Sequence, residues 1–525
     1  MTKHWTVPEK NGEFFSSFPI SEAGDRIEEN RSRLDLSSLS LGNMDGNSFR
    51  AHCREELVRL GCGVSGERQE SINVQRIILS GHQPLLNHPG VWIKYFLLDR
   101  LALESNALAV NLEVDSNMAG PMAVPLPTRV DNLRIAREPL GTWTGEHALE
   151  SLSVPSAGEW EDFTARARGH LASLPDKKIL ERMETLARIG SGIIEKDRGL
   201  SGFLARLRRG FEEPAKLGYL SLPLSHACGT RSFLRFFMMI AADAKRFASA
   251  YNSALEDYRK RHKLRYKANP FPDLRTGEGL CELPFWWIDE KGARHSVLSA
   301  STAKADSATG KFSLEFEGNG IWEVGRSATG EAVERLIQAS VRIRPKALAL
   351  TLFFRLFFCD LFLHGIGGGK YDETSDFIMR EYFKVTPPHY LAASLTLYPE
   401  LGISGLPDGE DERLQIRLRE MKFKPEKFLD AIPDESKRRE FMDILRVKNS
   451  LLGDSSVESR GKEFFRRIHE INETLYSFLE PARLETEQEL AALRVREEEE
   501  KALRFREYPF FLFDPMRMAE IVKEC

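Results

Sequence analysis

Two histidines stand six positions apart in "SGHQPLLNHPG", His82 and His88, and the glycine-rich stretch Gly365–Gly369 ("GIGGG") runs into Lys370, Tyr371, Asp372 and Glu373. A pair of imidazoles can donate to the charge that builds on a leaving phosphate. Glycines let backbone N–H groups approach a phosphate or carboxylate, and a following helix start favours an anion. The spacing in "GIGGG" is neither GxGxxG nor a Walker loop, so it reads equally as a plain strand-to-helix turn. Lys370 is a candidate to steady a phosphate, whereas Asp372 and Glu373 read as a helix cap and a dipole partner. Asp115 and Asn117 close an apolar run, "NALAVNLEVDSN", where they would orient a ribose or an amine, or simply turn the chain. No cysteine or carboxylate joins His82 and His88 at metal-ligand spacing. Trp286, Trp287 and His295 read as core and flank, with no chemistry assigned.

These residues need elements to hold them. "RIILSG" is a short apolar strand, "GVWIKYFLLDRLALES" a helix and "NALAVNLEVDSN" a second strand. Strand, turn, helix and strand within some forty residues make a βαβ unit and imply a parallel sheet. The tract 347–369 repeats the theme, with a helix to about Cys359, a strand over Leu361–His364, the glycine loop, and a helix from about Glu373. Two such loops would face each other at the carboxyl edge of one sheet, where open α/β sheets take their ligands.

Around this α/β core the chain divides into three parts. Residues 1–70 form a helical lead-in, with Phe49, Cys53, Leu57 and Leu60 at helical spacing. Residues 71–400 form the core, with an insertion over about 150–325. That insertion is helical to about 265 and then β-rich, with "DEKG" as a hairpin turn. Residues 405–525 are charged and helical. Two stripes, Phe464, Ile468, Ile471, Leu475, Phe478 and Leu484, Leu490, Leu493, Leu503, are separated near Pro481, and they predict an antiparallel hairpin or coiled coil.

Composition narrows the partners. There are 74 Lys and Arg against 78 Asp and Glu, a net charge of -4, so nucleic acid is not the expected partner; the only basic run is "DYRKRHKLRYK" at 257–267. The apolar tract at 347–369 is interrupted by Arg355 and Asp360, which argues against a membrane span. Six scattered cysteines, Cys53, Cys62, Cys228, Cys281, Cys359 and Cys525, suit free thiols in a reducing interior. "MTKHWTVPEKNGEFF" lacks the apolar stretch of a signal peptide, and the expected location is cytoplasmic.

The order of these features resembles the bacillithiol-biosynthesis cysteine-adding enzymes over about residues 76–385: a strand ending in a Gly-x-Gln-Pro turn, a strand ending in an acid, an aromatic hairpin ("LPFWWIDEKGAR"), an Arg-Pro helix opening, a Gly-Gly loop and a terminal coiled coil. Gly81, Gln83 and Pro84 match the turn, Asp115 the acid, Arg344 and Pro345 the helix opening, and Gly367 and Gly368 the glycine loop, which here extends to Gly369. His82 stands where the family has glutamine, Ser116-Asn117 where it has His-Asp, and Gly369-Lys370 where it has Pro-Gly. The resemblance implies a Rossmann-like core with helical insertions and a dimerising coiled coil. It also implies a ligase that joins cysteine to an amine, forming an amide-type bond. The residues themselves suggest a small-molecule substrate and a bound nucleotide, such as an adenine nucleotide, or phosphorylated small molecule, with His82, His88 and Lys370 serving catalysis. The alternative is a non-catalytic protein of the same fold that dimerises through 457–507.

Overall fold

The computed structural model describes residues 5–41, 43–66, 75–120, 122–196, 199–266, 268–277, 279–301, 310–318, 320–403, 410–453 and 462–525. Lys267 of the basic run and residues 457–461 of the tail lie outside this set.

A mixed α/β core is built on a six-stranded sheet. Five strands run parallel: Ile77–His82, Leu108–Glu113, Leu220–Pro223, Leu361–His364 and Tyr390–Leu395. Phe14–Ser16 adds an antiparallel edge beside the last of these. Numbered along the chain, the parallel strands lie in the order 3-2-1-4-5, so the winding reverses between Ile77–His82 and Leu361–His364.

Both faces of the sheet are covered, which is why its strands read as continuous apolar runs rather than alternating ones. The pleat still sorts the side chains. Ile77, Leu79, Val110, Leu112, Leu220 and Leu222 join one core, with helices Gly46–Ser65, Arg231–Ala242 and Ala347–Phe357. Ile78, Ala109, Leu361, Leu363 and Leu391 join the other, with helices Pro89–Glu104, Lys178–Ile193 and Leu200–Glu212.

The insertion carries more strand than its sequence suggests. Leu220–Pro223, inside the tract read as helical, is the third parallel strand. Its four residues are too few for a period to register. Ahead of the insertion, Ala123–Arg129 and Leu133–Pro139 form a separate hairpin. The β-rich part is an antiparallel meander, Thr276–Gly277, Leu280–Ile288, Arg294–Ser301, Lys311–Phe316 and Gly320–Gly325. The expected "DEKG" turn closes it: Asp289 Oδ1 accepts from the Lys291 and Ala293 N–H groups, and Gly292 takes a φ of 84°.

Two boundaries differ from expectation. Arg342–Pro345 is not a helix opening but a strand paired with Leu280–Ile288; the helix begins at Ala347. The lead-in is not wholly helical either, because Phe14–Ser16 belongs to the central sheet.

After residue 410 come helices Glu410–Phe423, Glu435–Gly453, Lys462–Ser477 and Glu480–Leu503. They share a small core of Met421, Ile432, Phe441, Leu475, Leu479 and Ala482. Pro481 sits in the first turn of the last helix, where its missing N–H costs nothing. That helix packs against Glu410–Phe423 and the 123–139 hairpin, where Glu499 accepts from the Leu133 N–H. The chain then returns to the main core: Tyr508, Phe510, Phe511 and Leu512 are fully buried, and helix Pro515–Glu524 lies on Pro89–Glu104. Among the described residues, no helix is long and apolar enough to cross a membrane.

Candidate functional site

The reversal of strand order leaves the segments after His82 and after His364 side by side at the carboxyl edge, the usual ligand position in such sheets. Gly81 is still within the strand, and Gln83 and Pro84 open a tight bend in which the Gln83 carbonyl accepts from Asn87 Nδ2 at 2.9 Å. His88 then caps the helix: its Nδ1 accepts from the Gly90 N–H at 3.1 Å, so a neutral ring carries its proton on Nε2. Burial lowers His82 to about 3, with the charges of Lys94, His88 and Arg208 adding to the effect. Burial lowers His88 to about 4, with Arg506 and Lys94 adding. Both rings are therefore neutral at pH 7 and can offer N–H groups rather than charge.

The glycine stretch is not a loop. Helix Ile366–Ile378 starts at once, capped by Gly365, so Gly367, Gly368 and Gly369 form its first turn. Gly367 and Gly368 are exposed. A Cβ at Gly368 would come within 3.1 Å of His364 Nδ1, so the absence of a side chain there keeps that edge of the imidazole open. Asp372 is correspondingly not a cap. It lies one turn inside the helix and is fully buried, accepting from Arg355 at 2.7 Å and pairing with His364 Nε2 at 2.9 Å. Lys370 is half-buried in the second turn, with no side-chain hydrogen bond or ion pair among the described residues.

Sequence reasoning missed Lys94. It is 1% exposed, one turn into the Pro89–Glu104 helix, and among the described residues its Nζ donates only to the Gly81 carbonyl, at 3.4 Å. Burial alone lowers its amine to about 7. The signal is present in "WIKYFLL", a lone charge inside an apolar helix. His364, at the end of "LFLH", carries a signal of the same kind.

Beyond the next two strand ends lies a cavity of about 800 Å³, lined by Glu113, Asp115, Glu150, Arg206, Arg209, Tyr219, Ser221, Ser225 and His226 among others. Asp115 is 2% exposed; its carboxylate accepts from the Ser225 N–H at 2.8 Å and from Ser225 Oγ at 2.5 Å. Burial raises its pKa to about 7, helped by Glu150 and opposed by the Ser225 bonds and Arg344. Glu150 is gripped by Arg344 through two bonds of 2.7 and 3.0 Å. The backbone brings the two acids together, because the Glu150 N–H donates to the Asp115 carbonyl at 2.8 Å. Asn117 serves this turn: its carbonyl accepts from the Leu149 N–H, and its Oδ1 accepts from Arg294. It therefore positions Glu150 rather than lining the cavity.

Behind Asp115, the fully buried Arg208 donates to Glu113 at 2.6 Å, lies 3.5 Å from Glu212 and stacks on the Tyr95 ring at 4.1 Å. Glu212 is also held by Trp92 Nε1 and the Tyr219 hydroxyl. This network stiffens the cavity floor and links it to the His82 strand, whose last residue pairs with Glu113.

The carboxyl edge thus presents two adjoining environments: a cationic, imidazole-rich one at the strand reversal, and an acid-lined cavity that can hold a small polar molecule. Glu150 and Ser225 reach the second from segments distant in sequence that no local motif marks, and Arg344, read in the sequence as part of a helix opening, grips Glu150 from a strand. No protein-family model matches the chain, and comparison with curated proteins finds no match.

Proposed function

We propose that the chain is a small-molecule ligase that forms an amide-type bond, as its resemblance to the bacillithiol-biosynthesis cysteine-adding enzymes implies, on a Rossmann-like core. One observation carries the reading: Asp115, on the cavity floor, is held at about 7 beside the Glu150–Arg344 pair. A carboxyl group half-ionised at neutral pH can take a proton from an amine as that amine attacks. The acceptor amine binds in the 800 Å³ cavity, with its nitrogen toward Asp115. A nucleotide or phosphorylated small molecule binds at the strand reversal, near His82, His88, Lys94 and the glycine turn. The nitrogen attacks an activated acyl carbon, the bond from that carbon to the phosphate oxygen breaks, and the nitrogen's proton passes to Asp115. Neutral His82 and His88 donate hydrogen bonds to the departing phosphate.

The test has two parts. Calorimetry should show an adenine nucleotide binding to the wild type and more weakly to His82→Ala. Phosphate release in the presence of a panel of amines and carboxylic acids should depend on the amine and disappear in Asp115→Asn. Absence of nucleotide binding together with absence of amine-dependent phosphate release across the panel would overturn the proposal.

A further inference from the structure

Buried cations in this fold have counter-ions. Arg208 lies on Glu113, Arg344 on Glu150, Arg355 on Asp372 and Asp376, and Lys448 on Glu426. Lys94 does not, since no carboxylate pairs with it among the described residues, and one long bond to a carbonyl is all that it makes. The groups around it add donors rather than acceptors of charge. His82 follows the Gly81 whose carbonyl takes the Lys94 bond, His88 caps the helix that carries Lys94, and His364 ends the adjoining strand. Arg506, from the returning C-terminal segment, lies with His88 around Gly90 and reaches the Leu395 carbonyl at 3.4 Å. An ammonium enclosed this way is costly without an anion beside it.

The remaining charges packed against the Pro89–Glu104 helix are committed elsewhere. Glu113 is held by Arg208, Asp372 by Arg355 and His364, and Tyr390 lies under Arg355. On the helices either side, Arg26 pairs with Glu22 and Glu29, and Arg517 with Glu520. Among the described residues, none supplies the missing negative charge.

We propose that the cluster of Lys94, His82, His88, His364 and Arg506 at the strand reversal is a phosphoryl-binding site, and that Lys94 takes up a proton from solvent as the phosphoryl group enters. This rests on the reading that the site takes a nucleotide or phosphorylated molecule, and adds which residue holds the phosphoryl and how pH controls it. The dianion provides the counter-charge that burial denies the amine. The complex therefore contains an ammonium where the free protein above pH 7 contains a neutral amine. The lowered amine of the free protein agrees with this. Linkage then makes affinity fall as pH rises above 7, by up to about tenfold per pH unit.

The experiment is calorimetric titration of the full chain with inorganic pyrophosphate and with ATP at pH 8.5, in two buffers of different ionisation enthalpy. Proton uptake approaching one per bound anion is expected, with affinity about tenfold higher at pH 7.5. Lys94→Arg, always protonated, should bind with no uptake and little pH dependence. Lys94→Met should lose at least tenfold in affinity, with a cooperative thermal transition confirming that it folds. ATP binding without proton uptake and unchanged in Lys94→Met would overturn this proposal while leaving the nucleotide reading intact. Failure of both probes to bind would overturn both.

Discussion

Replacing Lys94 with methionine should make the unliganded protein more stable, and by an amount that depends on pH. The ordinary amine value of 10.5 falls to about 7 in the folded chain because the group is buried without a counter-ion. The folded value lies below the unfolded one, so the unfolded chain holds an extra proton between about pH 7 and 10.5, and the wild type gains stability as pH rises through that window. At about 1.4 kcal/mol per pH unit, the wild type is handicapped by about 4 to 5 kcal/mol at pH 7 and below, by about 2 at pH 9 and by nothing above about 10.5. Methionine has a similar length and fills the same space without the charge. Loss of the 3.4 Å bond to Gly81 subtracts about 1 kcal/mol at most. Urea unfolding of both proteins at pH 6, 7.5 and 9 measures the difference directly. A methionine variant less stable than wild type at every pH, or a difference that does not shrink with rising pH, would show that Lys94 is a charged and well-paired structural residue.

Two further outcomes test the site's surroundings. Arg208→Met leaves Glu113 and Glu212 buried together without their shared cation, and should cost about 3 to 5 kcal/mol in a denaturant midpoint, partly restored by adding Glu113→Gln. His82 and His88 have folded values below the unfolded one, so the unfolded chain takes up protons first and stability falls as pH drops from 6.5 toward about 3 to 4. A double variant, His82→Asn with His88→Asn, keeps an amide oxygen able to cap the Pro89–Glu104 helix and should show a flatter acid limb in urea midpoint against pH.

The βαβ unit was legible because Ile77–His82 and Leu108–Glu113 are apolar runs of strand length and Pro89–Glu104 is a longer apolar segment opened by a proline, each bounded by turn residues. The facing of the 82 and 364 segments followed from that unit and from the repeat of its theme at Leu361–His364. The strand at Leu220–Pro223 did not register, since four residues between helices carry no period of their own. "GIGGG" misled because glycine is a poor helix former, and propensity argued for a loop. Burial of Ile366, and of Asp372 against Arg355 and His364, outweighs that cost in the folded chain. Asp115 could be singled out locally as the end of a strand. Its elevated proton affinity could not, because Glu150, Ser225 and Arg344 lie 35, 110 and 229 positions away. Lys94 was readable in principle, as a charge with no polar neighbour on an apolar helix, but whether a counter-ion awaits it is a tertiary fact.

The return of the chain after the C-terminal helices bears on how the molecule is made. The Phe510 N–H donates to the Asn87 carbonyl, Phe510 packs on Trp92 and Phe211, and Arg506 reaches the edge of the Tyr390–Leu395 strand. A ribosome delivers the His82–His88 bend and its helix hundreds of residues before it delivers this segment. During that interval Trp92 and Phe96 lack part of their cover, and the imidazole cluster lacks Arg506. The helical appendage between them must fold without trapping this surface, and a nascent or prematurely terminated chain would present it to chaperones. Completion of the proposed site therefore waits for synthesis to pass Arg506 and Phe510, and a chain that stops short of them lacks part of it.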